Sequence, residues 1–189
     1  MIGKLVAVVL CTTLYTLVRY VYFGGISPNN IPVYLLNKSV SIASAFFLFC
    51  TALNHAKNQT ERGKFWSIAA LHGTYLHIML SLAILSKSYY PKFFGPEKMT
   101  FTGEMTILFG VLAVYCFWFV RSKKYVFYQR QIFQLLSGLF LMGHLIAMGF
   151  TGWSAVDTWH GGLPPISLIG FMLAALSFLL FLKTKHTSA

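Results

Sequence analysis

Six apolar runs, each about as long as a bilayer is thick, leave this chain little else to fold into. They cover Leu5–Phe23, Val33–Leu53, Phe65–Leu85, Phe101–Val120, Ile132–Phe150 and Leu163–Leu182. A helix of about 20 apolar residues traverses a hydrocarbon core of about 30 Å, and it satisfies its own backbone groups, as lipid demands. Segments rich in Gly, Pro and Asn separate several runs, among them GGISPNNIP and the HGGLPP before the last. Proline suits a first helical turn, where its missing N–H has no partner anyway. The sequence predicts an all-α, polytopic membrane protein, a six-transmembrane-helix bundle forming a single domain over residues 1–189, with no internal repeat.

Composition agrees. Of 189 residues, 57% are hydrophobic and only 10% charged, and the mean hydropathy is +0.66; a soluble domain carries about a quarter charged residues. The formal charge of +11 would suggest nucleic acid in a soluble protein. Here the cations crowd the ends of apolar runs, so the partner they imply is anionic lipid, and nucleic acid is excluded. Cys11, Cys50 and Cys116 all lie within apolar runs without a CxxC spacing, which reads as buried packing and not as a disulfide or iron–sulfur framework. The N-terminal LVAVVLCTTLYTLV lacks a small-x-small cleavage site and reads as a first span, not a signal peptide.

One side of the bundle gathers Lys4, Lys57, Arg62, Lys64, Arg121, Lys123, Lys124, Arg130, Lys183 and Lys185, whereas Lys87, Lys92 and Lys98 occupy the loops of the other. By the positive-inside rule both termini are expected in the cytoplasm, in a plasma or bacterial inner membrane. The third and fifth spans then run in the same direction, from inside to outside.

That shared direction matters because His77 and His144 lie inside those two spans. His77 follows Phe65, and His144 follows Ile132, by the same twelve residues. Each imidazole is therefore roughly 18 Å from the cytoplasmic end, in the outer half of the membrane. An ionisable group in hydrocarbon is costly and is retained mostly for function. Two neutral imidazoles facing each other across a bundle are suited to be axial ligands of a haem iron. Gly73 and Ala70, on the same face as His77, leave room for a flat ring; Ala147 is small and close to His144, and Phe140 and Met148 could pack on the macrocycle. The competing reading is that each histidine only hydrogen-bonds a neighbouring helix. His72 lies about 140° around the helix from His77, so it cannot share an iron with it and is expected against another helix. His55, His160 and His186 are expected at the interfaces.

Arg19 and Lys38, set a few residues into their spans from the outer side, could pair with the carboxylates of an outer haem or snorkel to headgroups. Glu104 suits the N-terminus of the fourth span and could pair with either cation. The outer loop with Trp153, Trp159 and His160 is expected to border the haem's exit side. No Ser-His-Asp set, HExxH or phosphate-binding loop supports hydrolytic chemistry.

Three segments, KFWSIAALHGTYLHIMLSL around His77, FTGEMTILFGVLAVY in the fourth run and QRQIFQLLSGLFLMGHLIAMGFTGW around His144, resemble the transmembrane domain of the ferric-reductase superfamily. The likeness covers roughly residues 35 to 182 and is nearest to the STEAP metalloreductases; the haem-binding membrane subunit of the bacterial methionine sulfoxide reductase system is similar. The resemblance implies that His77 and His144 ligate one b-type haem near the outer face. Two-haem members carry a second histidine about 13 residues before each ligand, where this chain has Lys64 and Gln131, so one haem is expected. In STEAP proteins a flavin takes the inner place. By analogy FAD or FMN would be held by Arg62, Lys64, Arg130, Gln131 and Gln134, with Lys123 and Lys124 nearby. No GxGxxG follows a strand, so a nicotinamide-binding domain is missing and the donor must be a separate reductase, a diffusible flavin or a quinol.

The function expected is that of a membrane b-type cytochrome carrying electrons from a cytoplasmic donor to an outer acceptor: ferric or cupric ion, oxygen or a protein. The alternative is a non-catalytic structural subunit of a larger complex or oligomer. An ion transporter would show paired carboxylates or broken helices at the midplane, and Glu104 is the one acidic candidate.

Overall fold

The computed structural model describes residues 1–26, 31–121 and 127–186. Six long helices follow one another: α1 (Ile2–Thr16, running on as a π-helical turn over Leu17–Tyr22), α2 (Ile31–Ala56), α3 (Thr60–Ala83), α4 (Phe101–Arg121), α5 (Phe127–Trp153) and α6 (Ile166–His186). Among the described residues the only β-pairing is a single bridge between Phe94 and Met99. Among the described residues, five helical segments are long and apolar enough to cross a membrane: Ile2–Tyr22, Ile31–Ala56, Phe101–Arg121, Gln129–Trp153 and His160–Lys183. The sixth helix, α3, falls short because His72, Thr74 and His77 occupy its middle. Large apolar side chains such as Leu10, Leu14, Met79, Leu82, Val111 and Leu179 lie exposed on the outer faces, as expected where the solvent is lipid.

Side-chain contacts fix the register of the bundle. Thr16 Oγ1 meets Ser39 Oγ at 2.5 Å and the ring of Tyr20 meets that of Tyr34, so α1 and α2 are antiparallel. Asn37 bonds Ser81, and Ser44 lies against Gly73, which sets α3 antiparallel to α2. Ser137 Oγ donates to the carbonyl of Ala113 on α4, and Ser167 of α6 packs on Gly149, so α4 and α6 both run against α5. Tyr15 Oη donates to the Pro164 carbonyl and ties α1 to the start of α6. The helices thus alternate, with α3 parallel to α5. The start of α1, the end of α6 and the α2–α3 connection lie at one end, here the terminal end. The segments after α3 and α5 lie at the other, here the distal end. Asn58, in the left-handed region at φ 56°, closes the short turn between α2 and α3, a conformation Asn tolerates better than most residues.

α2 is the hub. It packs along α1, α3 and α6, and α5 bridges α4 to α6. Among the described residues no extended backbone packing joins α3 to α4 or α5, so the ring of helices is open on that side. The gap is closed toward the terminal end by a cluster of Ala43, Phe47, Trp66 and Ala70 with Phe117, and by a hydrogen bond from Arg121 to Ser67 Oγ. Toward the distal end, the segment after α3 folds inward, burying Ile84, Tyr90 and Phe93 against Tyr34 and Met148.

Gly73 makes the close approach of α2 and α3 possible: a Cβ there would collide with Ser44 Oγ. Gly73→Val is therefore expected to lower the thermal stability of the detergent-solubilised protein by about 1–3 kcal/mol, the usual effect of overpacking. Thermal unfolding of the two proteins side by side checks it.

Candidate functional site

His77 and His144 line one cavity. Each stands the same number of residues after the first residue of its helix, Thr60 and Phe127, and those helices are parallel. The cavity, about 240 Å³ in volume, occupies the gap between α2–α3 on one side and α4–α5 on the other. Along α4 it reaches from Thr106 to Phe117 and along α5 from Ser137 to Met148, a length of about 16 Å at the rise of an α-helix. Leu82 (65% exposed) and Val111 (60% exposed) also line it, so it reaches the lipid-facing surface between α3 and α4. Its walls are apolar with a few small residues, Ser44, Ala45, Ala70, Gly110 and Ala113, and its distal end is closed by Tyr90, Phe93 and Ile166.

Both imidazoles are held by the same atom. His144 Nδ1 is 2.7 Å from the main-chain carbonyl of Thr106 on α4. A carbonyl can only accept, so Nδ1 carries the proton, and in the neutral imidazole Nε2 then keeps its lone pair. His77 Nδ1 is 2.6 Å from Asn37 Oδ1 on α2, which imposes the same tautomer. The Asn37 amide is itself fixed, its Nδ2 donating to Tyr90 Oη (3.0 Å) and to Ser81 Oγ (3.1 Å). Two neutral imidazoles thus present Nε2 lone pairs to a common space, the arrangement of histidines that ligate a metal, whose other ring N–H is characteristically held by a carbonyl or carboxylate.

Gly110 is what lets the His144 ring approach α4. A Cβ at that position would lie 2.9 Å from His144 Nδ1 and 3.3 Å from Cε1. The carbonyl that Nδ1 uses belongs to Thr106, one turn earlier, so the glycine clears the path to it. Gly73, by contrast, faces Ser44 and contributes no space to the cavity; Ala70 does line it. Met148 lines it as expected, but Phe140 stacks on Phe109 at 6.3 Å and Leu141 takes the lining position. His72 is exposed on the outer face of α3, not packed against a neighbouring helix.

The two distal cations are placed differently. Lys38 Nζ lies over the rings of Tyr34 (4.9 Å) and Tyr90 (5.3 Å), at the edge of the cavity that Tyr90 closes. Arg19 is 4% exposed, inside the π-helical turn of α1 and over the Tyr20 ring, and its Nε and Nη1 are buried without a hydrogen-bond partner. It does not line the cavity. Glu104 is exposed on α4 and pairs with neither cation.

At the terminal end, Arg62 donates to Gln59 Oε1 (3.0 Å) and Lys64 pairs with Glu61 (2.6 Å), both on the exposed start of α3. Arg130, Gln131 and Gln134 are half-buried on α5. None of the five lines the histidine cavity. Lys123 and Lys124 lie outside the described residues, as do the side chains of Lys185 and His186. His55 packs on Gly63 across the α2–α3 turn.

The distal aromatics do not border the cavity either. Trp153 Nε1 donates to Ser167 Oγ and pins α5 to α6, Trp159 Nε1 donates to the Gly152 carbonyl, and exposed His160 lies edge-on to Tyr20. Tyr90 and Phe93, from the preceding distal segment, hold the place assigned to them. The sequence reading passed over these two, along with Asn37 and Gly110. A polar Asn inside an apolar run, one turn after Tyr34 and next to Lys38, is the one signal that could have raised Asn37.

Among the described residues no group of three or more His, Cys, Asp or Glu could hold a bare metal ion. No protein-family model matches this chain, and no curated protein sequence does.

Proposed function

We propose that the protein is a membrane b-type cytochrome that passes electrons from a cytoplasmic-side donor, through one haem near the outer face, to an acceptor outside. The observation that carries this reading is the pair of histidines on parallel helices, each with Nδ1 tied back to the protein and both lining the same cavity. The donor set fits a haem: His77 and His144 would hold the iron, no larger donor group competes for it among the described residues, and small residues lie along the apolar walls. Lys38 at the distal edge is the cation placed to meet a haem carboxylate.

Six spans and cytoplasmic termini complete the reading. α3, though less apolar than the others, runs beside α2 over its whole length and turns its polar residues Thr74, His77 and Ser81 to the cavity. When bound, the haem supplies reversible one-electron chemistry. Asn37 and Thr106 keep both imidazoles in the ligating tautomer. The apolar walls exclude water and keep the site at low dielectric, and Tyr90 and Phe93 close its outer end. The donor is a reduced flavin (FAD or FMN) held near Arg62, Lys64, Arg130, Gln131 and Gln134, a quinol, or a partner reductase. Ferric or cupric ion, oxygen or an outer protein would accept.

Haem-loaded protein reconstituted in liposomes tests the direction. With reduced flavin mononucleotide inside and a membrane-impermeant ferric chelate outside, ferrous ion is expected to form outside at a rate at least tenfold above that of His77→Ala vesicles. Equal rates in the two preparations would refute transmembrane electron transfer.

A further inference from the structure

The two histidines differ in what holds them. The partner of His144 is the Thr106 main-chain carbonyl, which no substitution removes. The partner of His77 is a side chain, Asn37, whose amide oxygen is the acceptor at 2.6 Å. Asn37 is 1% exposed, in an apolar run where an amide is expensive unless every bond is met. All are met here. Oδ1 accepts from His77 and from Ser81 Oγ (3.2 Å), and Nδ2 donates to Ser81 and Tyr90. Through Tyr90, stacked on Phe93 at 5.2 Å, the amide is also tied to the segment that closes the distal end of the cavity.

We propose that Asn37 is the positioning residue of the ligand His77: its amide oxygen selects the tautomer with a free Nε2 and sets how strongly that nitrogen donates to iron, and so sets the haem's reduction potential. The proposal rests on the haem reading above. An acceptor on Nδ1–H makes an imidazole a better donor, and a better donor favours ferric over ferrous iron. A carboxylate in the same place accepts more strongly than an amide, and an alkyl group not at all. Asn37 therefore occupies the middle of a scale that substitution can move either way.

The test is the reduction potential of the haem in the purified full-length chain, followed spectroscopically during redox titration, for the parent, Asn37→Asp, Asn37→Leu and the control Thr51→Ala. Thr51 is equally buried on α2 but bonds only the Phe47 carbonyl in its own helix. Asn37→Asp is expected to lower the potential and Asn37→Leu to raise it. Each should change the reduction equilibrium constant about tenfold, or 59 mV for one electron, with Thr51→Ala unchanged. Opposite shifts from one position are not produced by a general loosening of the bundle. Shifts of the same sign, no shift, or an equal shift in Thr51→Ala would overturn the proposal. Should Asn37→Leu not fold, the sign of the Asn37→Asp shift decides alone. A parent chain that takes up no haem would instead overturn the haem reading itself.

Discussion

His77→Ala and His144→Ala are each expected to leave the purified chain without haem, while His72→Ala retains it in full. The first two each remove one of the two imidazoles that line the cavity, and no other His, Cys, Asp or Glu joins them into a larger donor group among the described residues. A single axial ligand in a slot open to lipid between α3 and α4 holds a macrocycle from one face only. His72 is exposed on the opposite side of α3 and makes no contribution to the site. Haem content per chain, measured after purification in detergent, gives the answer. Full retention in either ligand variant would remove that histidine from the iron.

Gly110→Val carries the second large effect, and it acts without touching a ligand atom chemically. The first atom of any side chain at this position would stand 2.9 Å from His144 Nδ1. The ring must move off, and in moving it loses the Thr106 carbonyl that fixes its tautomer. Losing such an outer partner typically weakens metal binding about 10- to 100-fold, and the added steric conflict places Gly110→Val at the upper end. Haem dissociation to an excess of an apo-globin acceptor measures the change. The contrast with Gly73→Val is informative, since that substitution strains the α2–α3 contact away from the ligands and should lower stability more than haem affinity. Equal haem affinity in the parent and Gly110→Val would mean that the His144 ring has no need of α4.

The helices were legible because six apolar runs near bilayer length admit few other structures, and their ends came out within a few residues of the observed ones. The first run ended less simply, in a π-helical turn that buries Arg19. That His77 and His144 line one cavity was also legible, because equal spacing along parallel helices is expected to bring them to a similar height. What lies around them was not. Asn37 and His77 are far apart in sequence, as are Thr106 and His144, and only the packing of α2 on α3 and of α4 on α5 brings them together. Gly73 and Gly110 look alike in sequence, yet one accommodates Ser44 and the other an imidazole, a difference set by which neighbour each helix face meets. α3 is the least apolar of the six long helices for a related reason: a helix that turns polar residues inward to a site has fewer apolar positions than one that only fills the bundle.

The most direct test of the account is the reduced-minus-oxidised visible spectrum of the full-length chain, purified after expression with haem in excess and assayed for haem as the pyridine adduct. Bis-imidazole ligation by His77 and His144 predicts one b-type haem per chain and a sharp reduced α-band of low-spin iron. A well-folded chain that shows no such band and carries no haem would contradict it.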